Sequence, residues 1–229
     1  MNADALMWRG LREHVYDNIL ELLLREDSPS GTRLTINTVA RQLGVSPTPV
    51  REALVKLERT GLVTREANKG YRVAPQLGPE QLGELFEARE MLEVRAASLA
   101  AAHADSMLPE LRIAHELHRR AGEAVVTAVD SGTADLALAR EYYARDRDFH
   151  DIIFRHSGNR YLIEMSDSLG ALMHRLRRTV HRGVTDVREA IAEHEAVIVA
   201  FENGEADRAA EAMRIHIDNV RDRAQHDED

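Results

Sequence analysis

Four residues have the types and the spacing to hold a metal ion. Asp146 and His150 stand four apart, on the stripe that Leu138, Tyr142, Phe149 and Ile153 mark as the buried face of a helix. His194 is bracketed by Val187, Ile191, Ile198 and Phe201, and His216 by Ala209, Met213 and Val220, again at helical spacing. A polar group aimed into an apolar interior is costly unless it finds a partner there. Taken singly these signals are weak, because Asp-x-x-x-His is common by chance and a histidine on an apolar face is more often a hydrogen-bonded core residue. Taken together, one carboxylate and three imidazoles form a donor set for a divalent ion, zinc first, with nickel, manganese or iron as the alternatives.

Helices must position them. From about residue 80 the pattern is helical almost to the end, over about 80–103, 107–129, 134–157, 159–182, 186–202 and 205–224, with breaks at Pro109, Ser131-Gly132, Gly158, Gly183 and Asn203-Gly204. An antiparallel bundle is the simplest architecture for such a run. The last two helices are joined by a tight turn, with His194 ten residues before Gly204 and His216 twelve after it. That offset is roughly 3 Å along the axis at about 1.5 Å per residue, so the two imidazoles can face each other. If the third helix packs alongside, the set is complete. Of the other histidines, His115 and His118 form at most an i, i+3 pair, while His174, His181 and His226 sit among charges and read as solvated.

Residues 43–60, LGVSPTPVREALVKLERT, carry a different chemistry: a turn followed by a helix suited to the major groove of DNA. A first amphipathic helix over 8–25 carries Leu11, Val15, Ile19, Leu22 and Leu23, and is broken by Ser28 to Gly31. A short second helix, Ile36 to Leu43, ends at Gly44, and Ser46 is a good N-cap for the third. Pro47 and Pro49 fall at its first and third positions, where no intrahelical bond is lost. Val50, Leu54 and Leu57 make its inner face, leaving Thr48, Arg51 and Val55 outward, with Arg51 placed to reach base edges. LVTR and YRVA then read as a two-stranded hairpin with Lys69 and Gly70 near its tip.

The expected fold is therefore mostly α: a winged helix-turn-helix over 1–75, a linker over 76–79, an antiparallel all-helical bundle over 80–225 that binds metal and effector, and an acidic tail over 226–229. Charge divides the same way. Residues 33–72 hold eight basic side chains against three acidic ones, inside a chain of net charge -9. A basic module on an acidic body is drawn to phosphate at one end only.

Of the 229 residues 44% are hydrophobic and only 4% aromatic, a composition that favours helices. There is no cysteine, so thiolate sites and disulfides are excluded and a reducing compartment is expected. The N-terminus MNADALMWRG lacks the pattern of an export signal, and the apolar run Ala196 to Phe201 is too short to cross a bilayer, so a cytoplasmic protein without membrane contact is expected.

The stretch LGVSPTPVREAL, followed by GLV and the basic hairpin, resembles the GntR family of bacterial transcription regulators over roughly residues 10–75. The resemblance implies DNA contacts at Arg33, Arg41, Ser46, Thr48, Arg51, Lys69 and Gly70. Many members carry arginine between the Ser and Thr that open the recognition helix, where this chain has Pro47, so that contact does not carry over. The segments ELFEAREMLEVRAASLAA, RDRDFHDIIFRHSGN and EHEAVIVAFENGEADRAAEAMRIHI resemble the FCD domain of the FadR-like subfamily, over residues 80 to about 222. This implies a metal on Asp146, His150, His194 and His216, beside a cavity for a small organic acid.

Arg89 matches a family arginine that faces this cavity and could hold a carboxylate bidentately; the alternative is a surface Arg89 paired with Glu93 at i, i+4. Arg175, in the basic run HRLRR, is the second effector candidate, its alternative a solvated face. These readings converge on a homodimeric transcription regulator, a repressor, that binds a pseudo-palindromic double-stranded operator and responds to a small organic acid. Two rivals stand beside it. One is a metal-dependent hydrolase with an appended DNA module, which lacks an evident general base; the other is a regulator whose metal is purely structural.

Overall fold

The structure is a computed structural model that describes residues 3–24, 29–67, 69–133, 136–166 and 184–226. Arg175, His174 and His181 lie outside the described residues, as does most of the helix expected over 159–182. The described chain divides into two compact units, one ending at Gly78 and one beginning at Pro79.

The first unit comprises α1 (Ala3–Leu24), β1 (Arg33–Leu34), α2 (Ile36–Leu43), α3 (Pro47–Arg59), β2 (Val63–Glu66) and β3 (Gly70–Val73). Nothing between residues 3 and 8 breaks a helix, so α1 begins earlier than its amphipathic pattern indicated. Its Val15, Ile19 and Leu23 pack with Val50, Leu54 and Leu57 of α3 in one core, each at most 1% exposed. Burying such a side chain is worth about 1.5–3 kcal/mol, which holds α3 to the module by the face opposite Arg51. Thr35 caps α2 by accepting from Thr38 N, and Gly44 ends it at φ 66. Ser46 is indeed the N-cap of α3, but its hydroxyl makes no capping bond there.

The expected two-stranded hairpin is a three-stranded antiparallel sheet in the order β1-β3-β2. β1 is two residues long, too short to leave a legible alternation in sequence. Gly70 makes the third strand possible. It sits at φ +93, and a Cβ there would lie 2.8 Å from the Leu34 carbonyl oxygen of β1.

The second unit holds α4 (Pro79–Ala100), a 3-10 turn at Ala101–His103, α5 (Ala104–Asp130), α6 (Leu136–His156), α7 (described over 160–166), α8 (Val184–Glu202) and α9 (Ala206–His226). α5 packs on α6 and α8, α4 on α9 and α6, and α8 on α9. The break expected at Pro109 does not occur: this proline lies inside α5, and the interruption is the 3-10 turn before it. Pro109 and Asp105 are both exposed, so water can satisfy the one carbonyl that loses its donor. At Gly122 a Cβ would meet Ile191 Cδ1 at 2.6 Å and Val187 Cγ1 at 3.0 Å, so α5 packs closely on α8 there and a side chain at this position would have to displace those two.

Candidate metal centre and nucleic-acid interface

The helical stripes of α6, α8 and α9 bring the four proposed ligands to one place. His150, His194 and His216 are 8%, 0% and 2% exposed. Each offers a ring nitrogen within 4.8 Å of the others. Asp146 Oδ1 lies 3.7 Å from His194 Nε2 and 4.0 Å from His150 Nε2. Phe149 stacks on His194 with ring centroids 3.9 Å apart and sets the plane of that imidazole.

Burial prepares these imidazoles to be ligands. It pushes His194 well below the usual histidine value and lowers His216, favouring the neutral form that carries a lone pair. Both nitrogens of His194 are buried without a hydrogen-bond partner among the described residues. Such orphaned groups are expensive in an apolar interior, and a divalent ion held at Nε2, the nitrogen nearer Asp146, would satisfy one of the two. The residues present therefore fit a metal.

Two carboxylates that sequence reasoning missed as part of this site orient the imidazoles from behind. His216 Nδ1 is 2.8 Å from Glu193 Oε2, which leaves Nε2 to face the centre. Glu193 is itself held by Arg223, whose Nη1 and Nη2 donate at 2.6 and 3.0 Å, and by Asn219 Nδ2 at 3.0 Å. Burial works to raise the Glu193 carboxyl, but His216 and Arg223 bring it down to about 2.

On the other side His150 Nδ1 lies 2.7 Å from Glu93 Oε2, and Arg89 Nε donates to Glu93 Oε1 at 2.7 Å. The alternative of a surface Arg89 is corrected: it does pair with Glu93 at i, i+4, but both side chains are 4% exposed. Burial again acts to raise Glu93, and Arg89 and His150 overcome it, holding the carboxyl well below its usual range. His150 moves oppositely, lowered by burial yet raised overall by Glu93. Arg89 Nη1 is buried and makes no hydrogen bond among the described residues. A charged pair on the face that carries Phe86, Ala96 and Ala97 was the signal for Glu93.

The reading of His115 and His118 as a pair apart from the site is also corrected. They are 7% and 0% exposed. His115 Nε2 lies 3.2 Å from Glu195 Oε2, while His118 Nε2 lies 3.9 Å from Asp146 Oδ1. The signal existed, since Met107, Leu111, Ala114, His118 and Ala121 follow helical spacing, but alanines mark a buried face faintly.

In the first unit Arg41, Ser46, Thr48 and Arg51 are all exposed along α2, the turn and the start of α3. Arg33 is exposed as well, and its Nε donates to the Lys69 carbonyl at 2.7 Å, bracing the tip of the hairpin. Lys69 projects there with Gly70 half-buried beneath it. Glu66, the acidic residue of the hairpin, is tied to Arg72 by a salt bridge, and this hydrogen bond lowers its carboxyl. The outward face of this unit is thus basic, with Arg51 exposed near the start of α3.

Residues 11–73 match the family described as bacterial regulatory proteins, gntR family, and residues 84–219 match the FCD domain. The HTH-type transcriptional repressor GlaR of Escherichia coli is 30% identical over 190 residues, covering 81% of each chain. Among solved structures, Escherichia coli McbR/YncC superposes with a TM-score of 0.75 at 22% identity, over 96% of this chain and 99% of that one. A GntR transcriptional regulator from Rhodococcus sp. RHA1 superposes with a TM-score of 0.69 at 18% identity, over 95% and 97%. None of the described helices is long and apolar enough to cross a membrane.

Proposed function

This chain belongs to the GntR family of bacterial regulatory proteins and carries an FCD domain, and from that premise we propose a repressor that senses a small organic acid at a metal centre in its helical unit. It is a DNA-binding transcription regulator of the helix-turn-helix type, not an enzyme, as its relatives are. The reading divides the chain into a winged helix-turn-helix over 1–75, a linker over 76–79 and a metal- and effector-binding unit over 80–225.

The observation that carries the metal centre is the buried His194, both of whose ring nitrogens lack a hydrogen-bond partner among the described residues, beside Asp146. Asp146, His150, His194 and His216 would hold the ion, zinc first, with nickel, manganese or iron as alternatives. When bound, the ion supplies a Lewis-acidic position for a carboxylate oxygen. Arg89 supports the same ligand class, since its Nη1 is buried and its Nε is spent on Glu93. Arg175 stays a second candidate for the effector's anion.

On the DNA side Arg51, Thr48 and Ser46 would enter the major groove, Arg41 and Arg33 would meet phosphates, and Lys69 and Gly70 would form the wing contact. Two copies in a homodimer would read the half-sites of a pseudo-palindromic operator in the cytoplasm. The effector can change DNA occupancy only by binding one arrangement of the two modules better than the other.

The test uses full-length protein. Metal content is measured by elemental analysis, and zinc-loaded protein is then heated with a panel of small mono- and dicarboxylates. Expected are one ion per chain, a thermal shift with at least one acid, and a change in affinity for DNA selected by the protein in vitro. Metal-loaded protein that ignores every acid would overturn the sensing role in favour of a structural ion.

A further inference from the structure

We propose that His118 is a fifth protein ligand of the metal, an inference that rests on the reading of Asp146, His150, His194 and His216 as a metal site. Three Nε2 atoms surround Asp146 Oδ1 at nearly equal distances: His194 at 3.7 Å, His118 at 3.9 Å and His150 at 4.0 Å. Donor atoms bound to one ion at about 2.1 Å lie about 3.0 Å apart when adjacent and no more than about 4.2 Å apart when opposite. All three distances fall under that limit, and His118 is nearer to the carboxylate than His150 is.

Nothing else among the described residues claims this imidazole. His118 is 0% exposed, and neither of its ring nitrogens has a hydrogen-bond partner there. Its ring lies 4.8 Å from that of His194 and 4.7 Å from that of Tyr142. A buried imidazole left in this condition costs free energy that a bound ion recovers. The helices meet closely here: Gly122, one turn beyond His118, faces Ile191 and Val187, one and two turns before His194.

His115 differs from His118 in the carboxylate it meets, which is Glu195 at 3.2 Å from Nε2 and not Asp146. A separate second ion on His115, His118 and His194 would require His194 to bridge two cations as an imidazolate.

The consequence is for the effector. Five protein ligands leave a six-coordinate ion with one exchangeable position, so a carboxylate would enter through a single oxygen. One carboxylate and four neutral imidazoles around a dication leave a single net positive charge, matched to a monoanionic group. A five-ligand set also favours ions that accept five or six donors over a closed tetrahedral zinc.

The experiment uses full-length protein stripped with a chelator and titrated with cobalt(II), whose visible absorption is strong with four ligands and weak with five or six. Zinc affinity is read by chelator competition. For wild type the expected result is one cobalt per chain with weak bands. His118→Phe, which keeps the ring volume beside Tyr142, should alter the bands and weaken zinc binding by about 10-fold or more. His118→Gln serves as a second variant should the first fail to fold. Unchanged spectrum and affinity in His118→Phe and His118→Gln, or two ions per wild-type chain, would overturn the proposal. Wild type that binds no cobalt would instead bring down the four-residue site itself, a failure visible before any His118 variant is made.

Discussion

Glu93 Oε2 stands 2.7 Å from His150 Nδ1, while its other oxygen receives Arg89 Nε at 2.7 Å. One buried carboxylate thus joins a guanidinium on its own helix to an imidazole on α6, and turns the far nitrogen of that imidazole toward Asp146. Glu193 of α8 likewise orients His216, and is itself held by Arg223 of α9. Each of these imidazoles is oriented from behind, so its far nitrogen is aimed before any ion arrives.

Removing one member of the Arg89–Glu93 pair leaves a charge stranded in the core. Glu93→Gln should cost about 3–5 kcal/mol of stability in chemical denaturation. The double variant Arg89→Met with Glu93→Leu should recover most of that loss, yet bind zinc about 10- to 100-fold more weakly because His150 has lost its partner. Recovery of stability with unchanged zinc affinity would show that Glu93 serves packing alone.

Stripping the metal should lower the melting temperature of the helical unit. An ion present at about 1,000 times its dissociation constant adds about 4 kcal/mol. For a chain of this size that corresponds to roughly 10 °C by calorimetry. His194→Ala should melt at one temperature with or without zinc.

Arg51 is exposed at the start of α3, and the core face of that helix is Val50, Leu54 and Leu57. Arg51→Ala should therefore leave the circular dichroism spectrum and melting curve intact. Its binding to DNA selected by the wild type should fall by about 1–3 kcal/mol, read by fluorescence anisotropy at fixed salt. Undiminished sequence-specific binding would remove α3 from the role of recognition helix.

Gly70→Ala places a Cβ 2.8 Å from the Leu34 carbonyl and keeps φ at +93. The sheet should loosen by about 1–3 kcal/mol, seen as faster hydrogen exchange in β1 and β3 with α1 and α3 unaffected. Equal protection in both proteins would mean that the hairpin adjusts without strain.

Much of this was legible in the chain itself. Periods near 3.6 marked Asp146, His150, His194 and His216 as inward-facing, and Ser46-Pro47 announced the start of α3, because these signals are local and each element carries its own. Pro109 misled, since a proline near a helix start interrupts little when the orphaned carbonyl faces water.

Periodicity names the face a residue lies on and leaves open which faces meet. That His118 stands as near Asp146 as the other imidazoles do, that Glu93 and Glu193 back His150 and His216, and that Leu34 pairs with Tyr71 across β1 and β3 were decided only by packing between distant segments. The physical reason is that such contacts depend on how closely helices and strands approach one another. At Gly70 the missing side chain permits that approach, and only the assembled tertiary structure reveals what it brings together.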